Sequence, residues 1–206
     1  FYATKNITSG EGGAIVTNNK ALAAKLRVLR LHGMNKSAAD RYTKLYKHYD
    51  MNVLGWKYNM NNIQAALLLH QLEKIEERLA VRKKLVSGYN ATLKKTPQIS
   101  LVKAIPGAKS AYHLYTIQVA PNKRDSILHA LQRAKIGVAV NFRPIHLMSY
   151  YRKKYGYKSG TFPNAEEIGA STITLPLYPK LTDKEQQYVV SSLTKIVSWI
   201  HSSTFL

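Results

Sequence analysis

The spacing of apolar residues over the first part of the chain predicts one strand and one helix. An apolar run within residues 14–17 indicates the strand. Apolar residues then recur every three or four positions, which predicts a helix from a cap at Asn18 or Asn19 to about Leu31. The helical positions are Leu22, Leu26 and Leu29.

A second helical pattern follows an irregular stretch over residues 34–55. Asn61 or Asn62 is placed to cap this helix, and the pattern predicts that it continues without a break to about Leu93. Its apolar positions include Ile63, Leu67, Leu68, Leu72, Ile75 and Leu79. A loop as long as residues 34–55 is uncommon without a function.

The rest of the chain alternates between the two periodicities. Residues 112–119 and 138–142 alternate polar and apolar side chains, which predicts two strands. Asp125 is predicted to open a helix between them, and residues 182–185 form a capping box before a closing helix. The closing helix places Val189, Leu193, Ile196, Val197 and Ile200 on one face. Strands alternating with helices predict an α/β sandwich.

Composition narrows the class of protein. The chain has 206 residues, 45% of them hydrophobic, which is enough for one or two domains with a true core. It has no cysteine, which excludes disulfides, thiol nucleophiles and cysteine metal sites, and no metal site is predicted. No apolar run approaches the roughly 20 residues of a membrane span, and no signal peptide opens the chain. A cytoplasmic location is therefore expected.

The charge raises a different possibility. The formal net charge is +20, and from Arg78 to Arg124 there are ten basic residues and no acid. Such a balance is typical of proteins that bind nucleic acid. These charges are scattered over several predicted elements, and no zinc-finger or RNA-recognition signature accompanies them. A basic surface would equally suit an anionic small-molecule substrate.

The strongest candidate for chemistry lies in the first thirteen residues. Thr4-Lys5 precedes a turn that contains Gly10, Gly12 and Gly13. A lysine at a strand end beside such a turn can be held in a dry pocket, where its amine acts as a nucleophile toward a carbonyl. The alternative is an ordinary solvated lysine in a hairpin, since lysine is mostly exposed.

The whole pattern T-K-N-I-T-S-G-E-G-G-A-I-V-T at residues 4–17 resembles the DegT/DnrJ/EryC1/StrS family of sugar aminotransferases. These enzymes use pyridoxal 5'-phosphate (PLP) and have the aspartate aminotransferase fold type. The resemblance implies that Lys5 is catalytic and binds the cofactor as a Schiff base. It runs from Phe1 to about Ile200 and covers about the C-terminal half of the family pattern.

Two further motifs carry the resemblance. Residues 55–67 resemble the family motif G-Y-K-Y-N-M-S-D-I-Q-A-A, which implies that Asn59 reaches across a homodimer interface to the partner's cofactor phosphate and that Tyr58 contacts substrate. Residues 143–152 resemble H-F-x-P-I-H…Y-Y-R, which implies that His146 binds the sugar. Asn59 could instead only shape its turn, and His146 could be structural. The resemblance also places residues 34–55 near the active-site mouth.

The predicted organisation is the end of a PLP-binding large domain over residues 1–70 and a small C-terminal domain over residues 71–206. The implied function is amination of a nucleotide-linked keto-sugar by an amino acid donor such as glutamate, for surface polysaccharide or amino-sugar biosynthesis. In this fold type several cofactor contacts lie upstream of the lysine, so the chain is expected to be truncated and inactive alone. An inactive regulatory or structural relative and a basic nucleic-acid-binding fragment are the alternatives.

Overall fold

The computed structural model describes residues 1–36, 45 and 48–202. The chain forms two compact units, Phe1–Ile75 and Glu76–Leu206. The boundary between the two units follows Ile75, which is five residues beyond the boundary predicted after residue 70. That the first unit is the end of a PLP-binding domain stays a prediction.

The described part of the first unit contains two helices that begin at asparagine caps. Helix α1 spans Lys20–Leu29, and Asn19 Oδ1 accepts a hydrogen bond from the Leu22 amide at 3.0 Å. Helix α2 spans Asn62–Leu68 and begins in the same way at Asn61. An asparagine at this position satisfies an amide that has no partner inside the helix. The prediction of a cap at each of these two places is confirmed.

Two predictions for the first unit are wrong. Residues 14–17 form no strand, and the side chains of Ile15 and Val16 are 73% and 94% exposed. The long helix predicted to Leu93 is interrupted after α2, because His70 adopts a φ of +63°, which an α-helix cannot accommodate. The chain resumes as helix α3 over Ile75–Leu93.

The first unit buries little of its own apolar surface. Among its described residues, Ser9 and Gly33 are buried, and neither is a large apolar residue. Ile63, Leu67 and Leu72 are 78%, 57% and 70% exposed. An apolar helix face of this kind normally packs against another element, because its burial is the main stabilising contribution to a helix in water.

The second unit is built on a three-stranded antiparallel sheet in the order β1-β2-β3. The strands are β1 Ser100–Leu101, β2 Tyr115–Gln118 and β3 Thr172–Leu175. Its helices after α3 are α4 Pro121–Arg133, a 3-10 helix Ile145–Leu147, α5 Ser149–Tyr155, α6 Pro163–Ser171 and α7 Asp183–Ser202. No helix in the described ranges combines the length and apolar character that a bilayer span requires.

The core of the second unit lies between this sheet and its helices. Ile117 and Ile173 face each other on β2 and β3, and both are fully buried. Leu193 on α7 is also fully buried, as predicted from its helical spacing. The capping box before α7 is confirmed, since Thr182 Oγ1 accepts from the Glu185 amide while Glu185 Oε2 accepts from the Thr182 amide.

Two predictions for the second unit need correction. The helix expected from Asp125 begins earlier, at Pro121, because proline is preorganised for the first helical turn and needs no donor there. The strand predicted over residues 138–142 reduces to one antiparallel bridge between Ala139 and Thr174. The rest of that stretch makes no ladder with β3.

Candidate functional site

Hydrogen bonds hold the turn that carries Lys5. The Lys5 amide donates to Tyr2 O at 2.9 Å, and the Ser9 amide donates to Phe1 O at 2.9 Å. The buried Ser9 hydroxyl donates to Glu11 O at 2.6 Å. The Lys5 residue itself is exposed, and no hydrogen bond or ion pair engages its amine within the described ranges. The turn therefore presents a primary amine on a fixed backbone.

The turn after Lys5 requires glycine at position 12 because of its backbone conformation. Gly12 has a φ of +122°, a conformation that residues with a Cβ rarely adopt. A Cβ at Gly12 would also lie 2.6 Å from the terminal methyl carbon of Met60. Met60 directly follows Asn59, so the first and second motifs, which are far apart in sequence, meet at this contact.

A glutamine beyond α2 also holds the Lys5 segment. Gln71 Oε1 accepts from the Thr8 amide at 3.1 Å, and its Nε2 donates to Thr8 O at 2.8 Å. The side-chain amide thus pairs with a backbone in the way that a neighbouring strand would. Sequence reasoning missed Gln71, because a glutamine after a helix carries no signal of a partner 63 residues away.

A close crossing of two backbones fixes the start of the second motif. A Cβ at Gly33 would lie 1.7 Å from Val53 O, and one at Gly55 would lie 2.1 Å from the Gly33 amide nitrogen. The His32 amide donates to Trp56 O at 2.9 Å across the same crossing. Only glycine at both positions permits this approach. Within the loop predicted over residues 34–55, Met34 and Met51 pair in an antiparallel bridge beside this crossing. Residues 37–44, 46 and 47 of the loop lie outside the described residues.

The second motif presents Asn59 with a defined amide orientation. Lys57 Nζ donates to Asn59 Oδ1 at 2.7 Å. Because an ammonium group only donates, this contact identifies the oxygen and leaves both Nδ2 protons pointing elsewhere. Tyr58, predicted to contact substrate, is 74% exposed and its ring stacks on Trp56 with 6.0 Å between centroids. Lys5 and Asn59 both lie in the described part of the chain, and no hydrogen bond joins them.

His146 lies in the second unit and is 7% exposed. Its Nε2 is 2.9 Å from Glu166 Oε1. The ring packs edge-on against Phe162, with 4.9 Å between centroids, and more loosely against Tyr157. The predicted role of His146 in sugar binding stays a prediction, and its carboxylate partner was missed by the sequence reasoning.

Glu166 is held by several donors besides the histidine. Its carboxylate accepts from the backbone amides of Gly160 at 2.9 Å and Phe162 at 3.3 Å, and from the Ser159 hydroxyl at 2.9 Å. These bonds, led by the Gly160 amide and followed by the His146 ring, lower the pKa of Glu166 to about 2. The carboxylate is consequently ionised at neutral pH and can only accept hydrogen bonds.

A basic and aromatic surface lies on α5. Lys154 Nζ lies 5.5 Å from the centroid of the Tyr150 ring and 5.4 Å from that of the Tyr155 ring. This arrangement is a cation–π contact on an exposed helix. The same combination of basic side chains and aromatic rings occurs in proteins that bind single-stranded nucleic acid, so this surface is also compatible with nucleic-acid binding.

Comparison with known proteins agrees with the fold and the motifs. A family model, described as the DegT/DnrJ/EryC1/StrS aminotransferase family, matches residues 1–194. The spore coat polysaccharide biosynthesis protein SpsC of Bacillus subtilis is 38% identical over 203 residues, which are 96% of this chain and 52% of SpsC. An uncharacterized protein of Methanocaldococcus jannaschii is 40% identical over 203 residues, 96% of this chain and 53% of that protein.

Solved structures give the same result. PseC of Helicobacter pylori, an aminotransferase involved in the biosynthesis of pseudoaminic acid, superposes with a TM-score of 0.86 and 28% identity over 97% of this chain and 52% of PseC. The putative sugar aminotransferase Spr1654 of Streptococcus pneumoniae, in its PMP form, has a TM-score of 0.85 and 28% identity over 97% of this chain and 52% of its own. The chain spans about half the length of the relatives it matches.

The fold is thus that of one part of a sugar aminotransferase, which confirms the predicted α/β class. The chain belongs to the DegT/DnrJ/EryC1/StrS aminotransferase family, and the resemblance seen in its sequence is confirmed. Use of PLP in this family also agrees with the prediction, since Spr1654 has been solved in a PLP form and a PMP form.

Proposed function

We propose that this chain is part of a PLP-dependent aminotransferase that aminates a nucleotide-linked keto-sugar with an amino acid donor such as glutamate. The observation that carries the proposal is the Lys5 turn. It presents an exposed amine on a backbone held by hydrogen bonds, within a sequence of the aminotransferase family. An amine in such a place suits covalent attachment to the aldehyde of PLP.

The residues of the first unit fit the cofactor. Lys5 would hold it covalently, and Asn59 offers two Nδ2 protons to a phosphate group. When bound, PLP supplies an electron sink for negative charge at the donor Cα. Lys5, once released, would move a proton between that Cα and the C4′ atom of the cofactor, which requires the amine to be neutral.

The substrate assignment draws on the relatives and on charge. PseC and SpsC are named for the biosynthesis of pseudoaminic acid and of spore coat polysaccharide, which supports a sugar as the amino acceptor. The +20 charge of the chain favours an anionic substrate such as a nucleotide-linked sugar. Tyr58 and His146 are the proposed sugar contacts.

We further propose that the active unit is a cytoplasmic homodimer in which Asn59 serves the partner's site. The exposed apolar residues of α2 support a need for additional protein surface around the first unit. The 206-residue chain alone is therefore expected neither to retain PLP tightly nor to transaminate.

The test uses the complete protein and a set of nucleotide-linked keto-sugars with glutamate as the donor. Formation of the amino-sugar is expected, with loss of turnover in Lys5→Ala and unchanged turnover in the control Lys25→Ala, which alters an exposed lysine of α1. Cofactor binding without turnover on any sugar would favour an inactive relative. Binding of single-stranded DNA that weakens steeply with salt, without amination, would favour the nucleic-acid hypothesis.

A further inference from the structure

The pair formed by His146 and Glu166 determines which ring nitrogen carries a proton. Glu166 Oε1 lies 2.9 Å from Nε2 of His146. The other neighbours of this carboxylate are the amides of Gly160 and Phe162 and the hydroxyl of Ser159, and all of them donate. An ionised carboxylate only accepts, so Nε2 must carry its proton whether the ring is neutral or charged. In the neutral ring, Nδ1 is then a hydrogen-bond acceptor.

The ring has little freedom to turn away from this arrangement. Phe162 packs against it edge-on at 4.9 Å between centroids. Helix α6, which carries Glu166, also approaches the segment before His146 closely, since a Cβ at Gly169 would lie 2.5 Å from Pro144 Cδ. The carboxylate and the histidine are thus held by packing as well as by their own hydrogen bond.

The opposite nitrogen remains open for a ligand. Within the described residues, Nδ1 of His146 has no hydrogen-bond partner. It is not fully buried either, so it still reaches solvent. A buried polar atom without a partner is unfavourable, whereas an atom that still reaches solvent can accept a bond from a bound hydroxyl group.

We propose that Glu166 is a positioning residue: by accepting the Nε2 proton it fixes the ring of His146 so that Nδ1 accepts a hydrogen bond from a hydroxyl group of the sugar substrate. The inference rests on the proposed function, in which His146 contacts the sugar. Glu166 itself would not touch the substrate. It acts only in the half-reaction that involves the sugar, because the amino acid donor offers no hydroxyl to Nδ1.

The first test observes the hydrogen bond directly in the complete protein. Nitrogen-15 labelled histidine is followed by NMR, and the His146 signal is assigned by its loss in His146→Gln. The Nε2 proton should be protected from exchange in the wild type and in Glu167→Ala, which changes the neighbouring carboxylate. Glu166→Ala should abolish the protection, and Glu166→Gln should restore part of it, because the amide oxygen can still accept. Protection that persists in Glu166→Ala would overturn the proposal.

The second test separates the two half-reactions in the complete protein. Glu166→Ala should raise the KM for the sugar about tenfold, the size of one hydrogen bond of about 1.4 kcal/mol. The half-reaction with the amino acid donor should keep its rate, and Glu167→Ala should change neither. Equal slowing of both half-reactions would indicate that Glu166 has only a structural role. If the wild type aminates no sugar, the proposed function and the sugar contact both fail, while the NMR result still decides whether Glu166 holds the ring.

Discussion

Replacing Asn59 with alanine tests the cofactor role of the second motif most sharply. Lys57 Nζ donates to Asn59 Oδ1 at 2.7 Å, so the amide has one orientation and its Nδ2 protons are available for the proposed bond to the cofactor phosphate. A hydrogen bond to a charged group contributes about 1.5–3 kcal/mol. At about 1.4 kcal/mol per decade, Asn59→Ala should weaken PLP retention by roughly one to two orders of magnitude. Equilibrium dialysis of the complete protein against PLP measures this loss.

A neighbouring asparagine provides the matched control. Asn61 caps α2 by accepting from the Gln64 amide at 2.8 Å. Asn61→Ala should lower stability by about 1 kcal/mol and leave cofactor affinity unchanged, because its effect is confined to the helix end. An equal loss of cofactor in both variants would show that Asn59 only shapes its turn.

Mixed dimers decide whether Asn59 acts in trans. Lys5→Ala and Asn59→Ala subunits are each expected to be defective when they form the proposed homodimer alone. With contacts in trans, a mixed dimer carries both lesions at one site and leaves the other site intact. Activity should then recover toward half that of a normal dimer. Mixed dimers that form and remain inactive would place Asn59 in its own subunit's site or in none.

Three further predictions concern stability. Tyr89→Phe should lower the free energy of unfolding by about 1–3 kcal/mol in urea titrations, because the fully buried hydroxyl donates to a backbone carbonyl, whereas Tyr188→Phe, 52% exposed, should change it little. Gly33→Ala should reduce thermal stability far more than Gly107→Ala in melting experiments; both have positive φ, but only Gly33 faces a carbonyl oxygen, 1.7 Å from the added Cβ. Glu166 has its pKa lowered to about 2, so its carboxylate stabilises the fold fully above the usual carboxyl pKa near 4.5 and loses this effect as pH falls toward 2. Glu166→Gln should therefore flatten the decline of melting temperature over that acid range.

Each of these three predictions has a result that would contradict it. Equal effects of Tyr89→Phe and Tyr188→Phe would mean that the buried hydroxyl contributes no more than the exposed one. Equal effects of the two glycine substitutions would attribute the cost to φ rather than to the backbone crossing. An unchanged acid profile in Glu166→Gln would show that the native hydrogen bonds do not hold that carboxylate ionised.

The features that were predictable from the sequence depend on neighbouring residues. Asn19, Asn61 and Thr182 cap helices through bonds to residues three positions away, so the local pattern is sufficient. The Lys5 turn was also found locally, from its glycines. The resemblance to the family added the predicted role of Asn59, which periodicity alone could not supply.

The features that were missed depend on residues far apart in the chain. Glu166 and Glu167 are equivalent in sequence, and only the fold brings one of them to His146, 20 residues away. The strand predicted over residues 138–142 had the right alternation, but a strand also needs a partner along its length. The break in the predicted helix at His70 was also missed, because the spacing of apolar residues around it is that of a continuous helix.

The most direct test of the central proposal is reduction of the PLP-loaded complete protein with borohydride, followed by peptide mass mapping. Reduction should trap the cofactor on the peptide that contains Lys5, in a protein that absorbs visible light before treatment. Lys5→Ala should give no trapped adduct at that position. A cofactor trapped on another lysine, or none trapped in the wild-type protein, would contradict the assignment of Lys5 as the cofactor-bearing residue.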